Sequence, residues 1–322
     1  MDFFDLYKLS QTHKVLSQDL NTNMLNHCYL INSKDREYLS MLCLFAVKEL
    51  YCVADDKPCN SCINCQKIEH GNMVDFEIYP KDKSLVVEDI LNVVSSAQVR
   101  AMESDFKVFL LNNFDECTIQ GQNKILKTLE EPPSNVIFIL SCENLGLVLP
   151  TILSRAKKIV EPPLSVDTID KFLTGKKIEN SQVVASMSDG LITNALNIAQ
   201  NKDASKILNL SLATLTNLKS TKELLDYSSQ ILALKKDIPF FLDTMLAMLR
   251  DIAVVNYGGT LLFENLSSEY KKLACVYSSQ MIQKITQKIN EIAQKQEFNC
   301  NMTSVIDTLL LDILEVKFLC QK

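Results

Sequence analysis

Cys52, Cys59, Cys62 and Cys65 stand in one short, turn-rich stretch with the spacing C-x6-C-x2-C-x2-C. Gaps of two residues let neighbouring thiolates converge on one ion, and the longer first gap lets the chain double back. Four thiolates complete the tetrahedral shell of a structural zinc and leave no open position for water. Pro58 stiffens the approach, and Asn60, Ser61 and Asn64 are turn formers that suit a knuckle. The competing reading is four unrelated small buried thiols, but core cysteines rarely crowd into so polar a loop. The spacing therefore predicts zinc and is silent about function. His70 follows closely and could serve as a ligand, yet four thiolates already fill the shell. His27 reads as a structural residue at a strand end.

The elements around this loop are those of a parallel α/β domain. His27-Cys-Tyr-Leu-Ile31 is a short apolar run entered from a polar N-terminal segment, and Lys34 to Leu50 carries the period of an amphipathic helix. Strands are predicted at Val74–Tyr79, Lys107–Leu111, Val136–Leu140 and Lys157–Val160, with helices at Val87–Ala97 and Ile119–Glu131, the latter stopped by Pro132-Pro133. Alternating strands and helices imply a parallel sheet covered on both faces. Glu161-Pro-Pro-Leu164 reads as a linker, and everything beyond it as helical. Short segments at Ser165–Leu173, Asn180–Ser188 and one ending near Asn201 suggest a small three-helix domain. Longer stripes follow near Thr221–Leu234, Ile238–Val255, Gln280–Gln296 and Met302–Leu319. The fold class is α/β followed by all-α, with domains at 1–163, 164–204 and 205–322.

Composition narrows the partners. The 322 residues carry a formal net charge of -6, which argues against a general nucleic-acid coat. No apolar run is long enough to span a membrane, and the acidic opening Met1-Asp-Phe-Phe-Asp5 is no signal peptide. Eleven cysteines without a secretion signal point to reduced thiols in the cytoplasm. A nucleotide site in this sheet would need a glycine-rich loop, so that backbone N–H groups wrap the phosphates, and a lysine. The connection Asn32-Ser-Lys-Asp-Arg-Glu-Tyr-Leu-Ser40 has no glycine, and Asp35 and Glu37 would repel a polyphosphate.

At these residues the chain resembles the delta-prime subunits of the bacterial DNA polymerase III clamp loader, which are AAA+ proteins. His27–Ile31 matches the family's opening strand, and Cys52 falls at the expected distance from it. In that register Leu39 sits where the phosphate-loop lysine would be, followed by Ser40. Cys59, Cys62 and Cys65 match the zinc module shared with the ATPase subunits of the same machine. Leu126-Lys-Thr-Leu-Glu-Glu-Pro-Pro133 and Leu149-Pro-Thr-Ile-Leu-Ser-Arg-Ala156 match two family motifs, with Ala156 replacing a cysteine. Phe138-Ile-Leu-Ser141 matches the intervening strand. Leu249-Arg-Asp251 and Asn299-Cys-Asn301 are similar to the collar domain.

The resemblance implies an AAA+ RecA-like domain with a zinc knuckle, a helical lid and a helical collar that oligomerises. Its partners would be the clamp-loader ATPase subunits and the delta subunit, with the sliding clamp indirectly and primed DNA through the complex. The acidic pair that would orient magnesium and water falls at Asn112-Asn113, with Asp115-Glu116 in the next turn, and the lid arginine aligns near Asn194. Loop, acids and lid depart together, which implies a subunit that does not hydrolyse ATP and binds no nucleotide cofactor. Arg155, in a Ser-Arg pair, resembles the finger that AAA+ subunits offer in trans to a neighbour's γ-phosphate. A structural arginine paired with Glu130 or Glu131 is the competing role. Two other functions stand beside this one: an ATP-hydrolysing gamma/tau-like paralogue, and a zinc-knuckle DNA-binding regulator.

Overall fold

The computed structural model describes residues 1–80, 84–178, 181–201, 203–259, 261–263, 266–295 and 302–319. Asn180, Gln296 and the Asn299–Asn301 stretch lie outside them. The chain divides into two compact units, Met1–Lys177 with Gly190–Asn194, and Ile178–Asp189 with Ala195–Lys322.

The first unit is built on five parallel strands: β1 (Cys28–Asn32), β2 (Phe76–Tyr79), β3 (Lys107–Leu111), β4 (Val136–Cys142) and β5 (Lys157–Val160). Their order is β2-β3-β4-β1-β5. Leu30 stands opposite Leu140, and Phe109 opposite Phe138. One face buries Cys28, Leu30, Phe109, Phe138 and Leu140 against Ile90 and Val93 of α5 (Val87–Ser96) and Ile125 and Leu129 of α6 (Ile119–Glu130). The alternate residues turn to the other face, the period-2 consequence of the pleat. There lie α2 (Gln11–Asn21), against β5, and α3 (Arg36–Tyr51), against β1 and β4. The strand predicted at Val74 begins only at Phe76. Asp75 turns aside because its carboxylate accepts the N–H groups of Met102, Glu103 and Ser104 at 2.7–2.8 Å.

The polar N-terminal segment is not loop but helix, α1 (Phe3–Leu9) followed by α2. Asp2 and Asp5 form a reciprocal capping box for α1. Ser10 Oγ caps His13 N–H at 3.0 Å, and buried Glu161, just past β5, accepts Gln11 N–H at 3.1 Å and Thr12 N–H at 2.6 Å. All the first-turn donors of α2 thereby find acceptors. Lys157 of β5 clamps Asp19 of α2 through both carboxylate oxygens, at 2.6 and 2.7 Å. After the knuckle helix α4 (Ile63–Glu69), a short helix α7 (Pro150–Leu153) precedes β5, and α8 (Val166–Gly175) packs Phe172 on Phe3 of α1, ring centroids 5.0 Å apart.

The second unit contains α9 (Ser181–Met187), most of α10 (Ile192–Gln200), α11 (Ala204–Asn217), α12 (Thr221–Ala233), α13 (Ile238–Val254), α14 (Ser267–Ala274), α15 (Ser279–Lys295) and α16 (Met302–Leu319). Its core is an apolar seam of Phe241, Met245 and Met248 of α13 against Ile289 of α15 and Leu309, Leu310 and Ile313 of α16. Lys317 is buried in it, over the Tyr277 ring, and donates to the Leu215 and Leu218 carbonyls at 2.8 and 3.0 Å. Among the described residues no helix is long and apolar enough to cross a membrane. The fold class expected from the sequence, an α/β domain followed by helices, is the one observed.

Candidate functional site

The four cysteines come together. Cys52 caps the C-terminus of α3, Cys62 stands at the N-cap of α4, Cys65 lies in its first turn, and Cys59 occupies the loop between. All four Sγ atoms lie within 4.8 Å of one another, and those of Cys52 and Cys62 are 3.9 Å apart. A tetrahedral shell of radius ~2.3 Å requires sulfur–sulfur edges of about 3.8 Å, so the donor set and its size fit zinc. Asn60 adopts a left-handed φ of 56°, which asparagine tolerates, and lets the chain reverse between Cys59 and Cys62. Asn64 Nδ2 donates to the Tyr51 carbonyl at 2.8 Å, joining α4 to α3. Lys48 bonds Asn60 at 3.2 Å and pairs with Glu69, while Lys8 of α1 holds Asp56 and the Lys57 carbonyl.

The thiols differ in acidity. Hydrogen bonds from the Ser61 hydroxyl, the Ser61 N–H and the Cys62 N–H bring Cys59 down to about 6. Burial opposes ionisation of Cys62, but N–H groups of Cys65 and Val53 outweigh it and lower that thiol too. Burial pushes Cys52 and Cys65 up. Cys59 is thus the thiol that ionises first, and the buried pair would ionise as a metal displaces its protons. His70 sits at the far end of α4, as its exposed C-cap, and does not join the cluster. His27 immediately precedes β1; its backbone carbonyl accepts Phe138 N–H at 2.8 Å, and its buried Nε2 meets no partner among the described residues.

The second place to examine is the crevice beyond the carboxyl ends of β1 and β4, where strand order reverses and doubly wound folds bind phosphates. Here α3 begins at once, with Asp35 as N-cap. Its buried carboxylate accepts Tyr38 N–H at 3.2 Å and, on its other oxygen, Thr193 N–H at 3.1 Å; the Thr193 hydroxyl bonds it as well. An internal carboxylate therefore occupies the helix N-terminus that would receive a phosphate. Arg36 forks to Glu116 and Glu143, and Asn32 Nδ2 donates to the Cys142 and Glu143 carbonyls at 2.9 and 3.0 Å. Asn113, left-handed at φ 51°, donates its N–H to Ser141 Oγ at 2.9 Å. Asp115 accepts Glu143 and Asn144 N–H groups, so it ties down the loop after β4. Leu39, at the position of a phosphate-loop lysine, is buried in the core.

The sequence marked Asp35 only as a repellent charge. Its capping role had a visible signal, an aspartate immediately before the first apolar-periodic residues. Its bonds to Thr193 had none.

Arg155 follows the C-cap of α7. Its Nη2 donates to Glu130 Oε1 at 2.7 Å, and Nη1 to the Thr151 carbonyl at 2.7 Å and Ser154 Oγ at 3.3 Å. The guanidinium remains partly exposed, at 32%.

The strand order β2-β3-β4-β1-β5, with a four-cysteine knuckle after α3, defines a doubly wound parallel α/β module. Residues 8–165 match the family described as "DNA polymerase III, delta subunit". The chain is similar to DNA polymerase III subunit delta' of Bacillus subtilis, 23% identical over 317 residues, covering 94% of this chain and 95% of that one. It is also similar to DNA polymerase III subunit tau/gamma of Haemophilus influenzae, 31% identical over 155 residues, which are 48% of this chain but 22% of that protein. A solved gamma-subunit-related protein of Thermotoga maritima overlays with a TM-score of 0.45 at 18% identity, covering 94% of this chain and 99% of that one. Residues 8–165 thus resemble this family of DNA polymerase III subunits, and the likeness to the delta' relative extends over nearly the whole chain.

Proposed function

We propose that the chain is a delta-prime-type clamp-loader subunit that neither binds nor hydrolyses ATP, and helps place the sliding clamp on primed DNA. The observation that carries this reading is Asp35, whose carboxylate fills the N-terminus of α3 and is bonded from both sides. A triphosphate there would have to displace a buried anion and the ties from Thr193, without glycines to let the backbone approach. Arg36 is likewise engaged by Glu116 and Glu143, and Asp115 Oδ2 by the Glu143 and Asn144 N–H groups. Cys52, Cys59, Cys62 and Cys65 hold a structural zinc that stiffens the knuckle and takes no part in turnover.

The work of such a subunit is mechanical. It would dock the ATPase subunits and the delta subunit as a fixed member of the ring, with a sheet domain over 1–163, a lid over 164–204 and a collar over 205–322. Arg155 would serve a neighbour's γ-phosphate in trans. The exposed part of its guanidinium supports that role, and its ion pair with Glu130 is equally the contact a structural arginine would make. One observation favours the gamma/tau-like alternative: the 31% identity to the Haemophilus influenzae protein exceeds that to the delta' relative. Calorimetric titration of the isolated chain with ATP and ADP separates them. No heat of binding is expected, and micromolar affinity would overturn the non-hydrolysing reading. The same preparation, mixed with the other loader subunits, should co-elute with them in gel filtration.

A further inference from the structure

The two stretches that carry the sequence resemblance most specifically, 126–133 and 149–156, meet at one ion pair, Glu130 with Arg155. Glu130 is the last residue of α6, and a carboxylate there opposes the helix dipole. An acid at that position needs another reason, and the guanidinium supplies it. Arg155 uses three of its five N–H donors within the chain: two on Nη1, to Thr151 and Ser154, and one on Nη2, to Glu130. The Nε–H and the second Nη2 hydrogen meet no acceptor among the described residues. One half of the planar fork is anchored and the other is left for an acceptor outside the chain.

We propose that Glu130 is a positioning residue for Arg155, resting on the reading of Arg155 as a group that acts in trans. An unrestrained arginine has many rotamers, and fixing it in advance removes that entropic cost from the encounter with a partner's phosphate. The Thr151 carbonyl sets the depth of the side chain, and the Glu130 carboxylate sets its azimuth. Only one acceptor oxygen is required, so the amide of glutamine should serve in its place. Glutamine also lifts a negative charge from beside the incoming phosphate.

The test uses the complete reconstituted loader with clamp and primed DNA, comparing Glu130→Ala, Glu130→Gln and Arg155→Ala, each normalised to incorporated subunit. Glu130→Ala should lower kcat for ATP by about threefold or more with KM unchanged, the signature of a contact realised in the transition state. Glu130→Gln should run at the wild-type rate or above. Melting of the isolated subunit should move little in either, because an ion pair this exposed adds little to stability. A normal kcat in Glu130→Ala beside a depressed one in Arg155→Ala overturns the positioning role alone. Glu130→Gln as slow as Glu130→Ala also overturns it. A normal kcat in Arg155→Ala overturns the trans role and this proposal with it.

Discussion

Replacing Asp35 by alanine takes away one carboxylate that two backbone N–H groups and a hydroxyl share. Tyr38 N–H and Thr193 N–H lie 3.2 and 3.1 Å from its two oxygens, and the site is buried, so water cannot readily take over. Loss of an N-cap side chain costs about 1 kcal/mol. A hydrogen bond to a charged group contributes roughly 1.5–3 kcal/mol. Allowing for the shared acceptor, local opening of the α3 start and of the Gly190–Asn194 segment should become easier by about 2–3 kcal/mol. At about 1.4 kcal/mol per tenfold, that is ~30- to ~150-fold faster amide exchange. Hydrogen exchange resolved at Tyr38 and Thr193 reads it directly. Both amides should accelerate together in Asp35→Ala, and less in Asp35→Asn, which keeps a carbonyl oxygen. Unchanged protection at both would refute the idea that Asp35 is a structural anion. Acceleration at Tyr38 alone would refute the tie to Thr193.

Freshly reduced protein should hold one tightly bound zinc per chain, and Cys62→Ser should lose most of it; substoichiometric metal in the wild type, unaltered by the substitution, would remove the assignment. Phe241→Ala should cost the second unit about 3–5 kcal/mol through its fully buried ring while leaving zinc content intact. Circular dichroism melts paired with metal analysis would show whether the two units respond separately. Lys317, which desolvation lowers to about 8, gives up its proton more readily in the folded chain than in the unfolded one. Its folded pKa lies below its unfolded one, so the burial penalty is present in full below pH ~8. It is relieved as pH rises through the window up to ~10.5, by at most about 1.4 kcal/mol per unit. The stability of Lys317→Met minus that of wild type should therefore shrink between pH 8 and 10 in urea titrations. A constant difference would contradict the buried-ammonium account.

The strands of the first unit were legible because each is a short apolar run ended by a turn former, and a sheet covered on both faces demands that pattern. The knuckle was legible because its ligands are local. What escaped depended on distant partners. Ser10 is a local cap signal for α2, but the acceptor for the Gln11 and Thr12 N–H groups is the distant Glu161. The tie of Asp35 to Thr193 spans 158 positions. Helix α11 was hidden for another reason: Leu208-Asn-Leu-Ser-Leu212 alternates like a strand. Ser211 and Thr214 nevertheless sit in the core, because their hydroxyls donate to the Ile207 and Leu210 carbonyls one turn back.

The closure of α2 by Glu161 and Lys157 imposes an order of events on a growing chain. Helix α2 cannot be fully capped, nor its Asp19 paired with Lys157, until the last strand of the sheet has followed it from the ribosome. With about 150 residues intervening and translation at ~5–20 residues per second, the wait is roughly 8–30 s. During that interval α1 and α2 rest on their local caps and on α3, whose Glu49 accepts the Tyr7 and Ser17 hydroxyls and whose Phe45 stacks on Tyr7. The capping of α2 is thus completed only with the end of the sheet. A nascent chain stalled before Val160 would leave the start of α2 open to proteases and chaperones, and one released after Glu161 would close it.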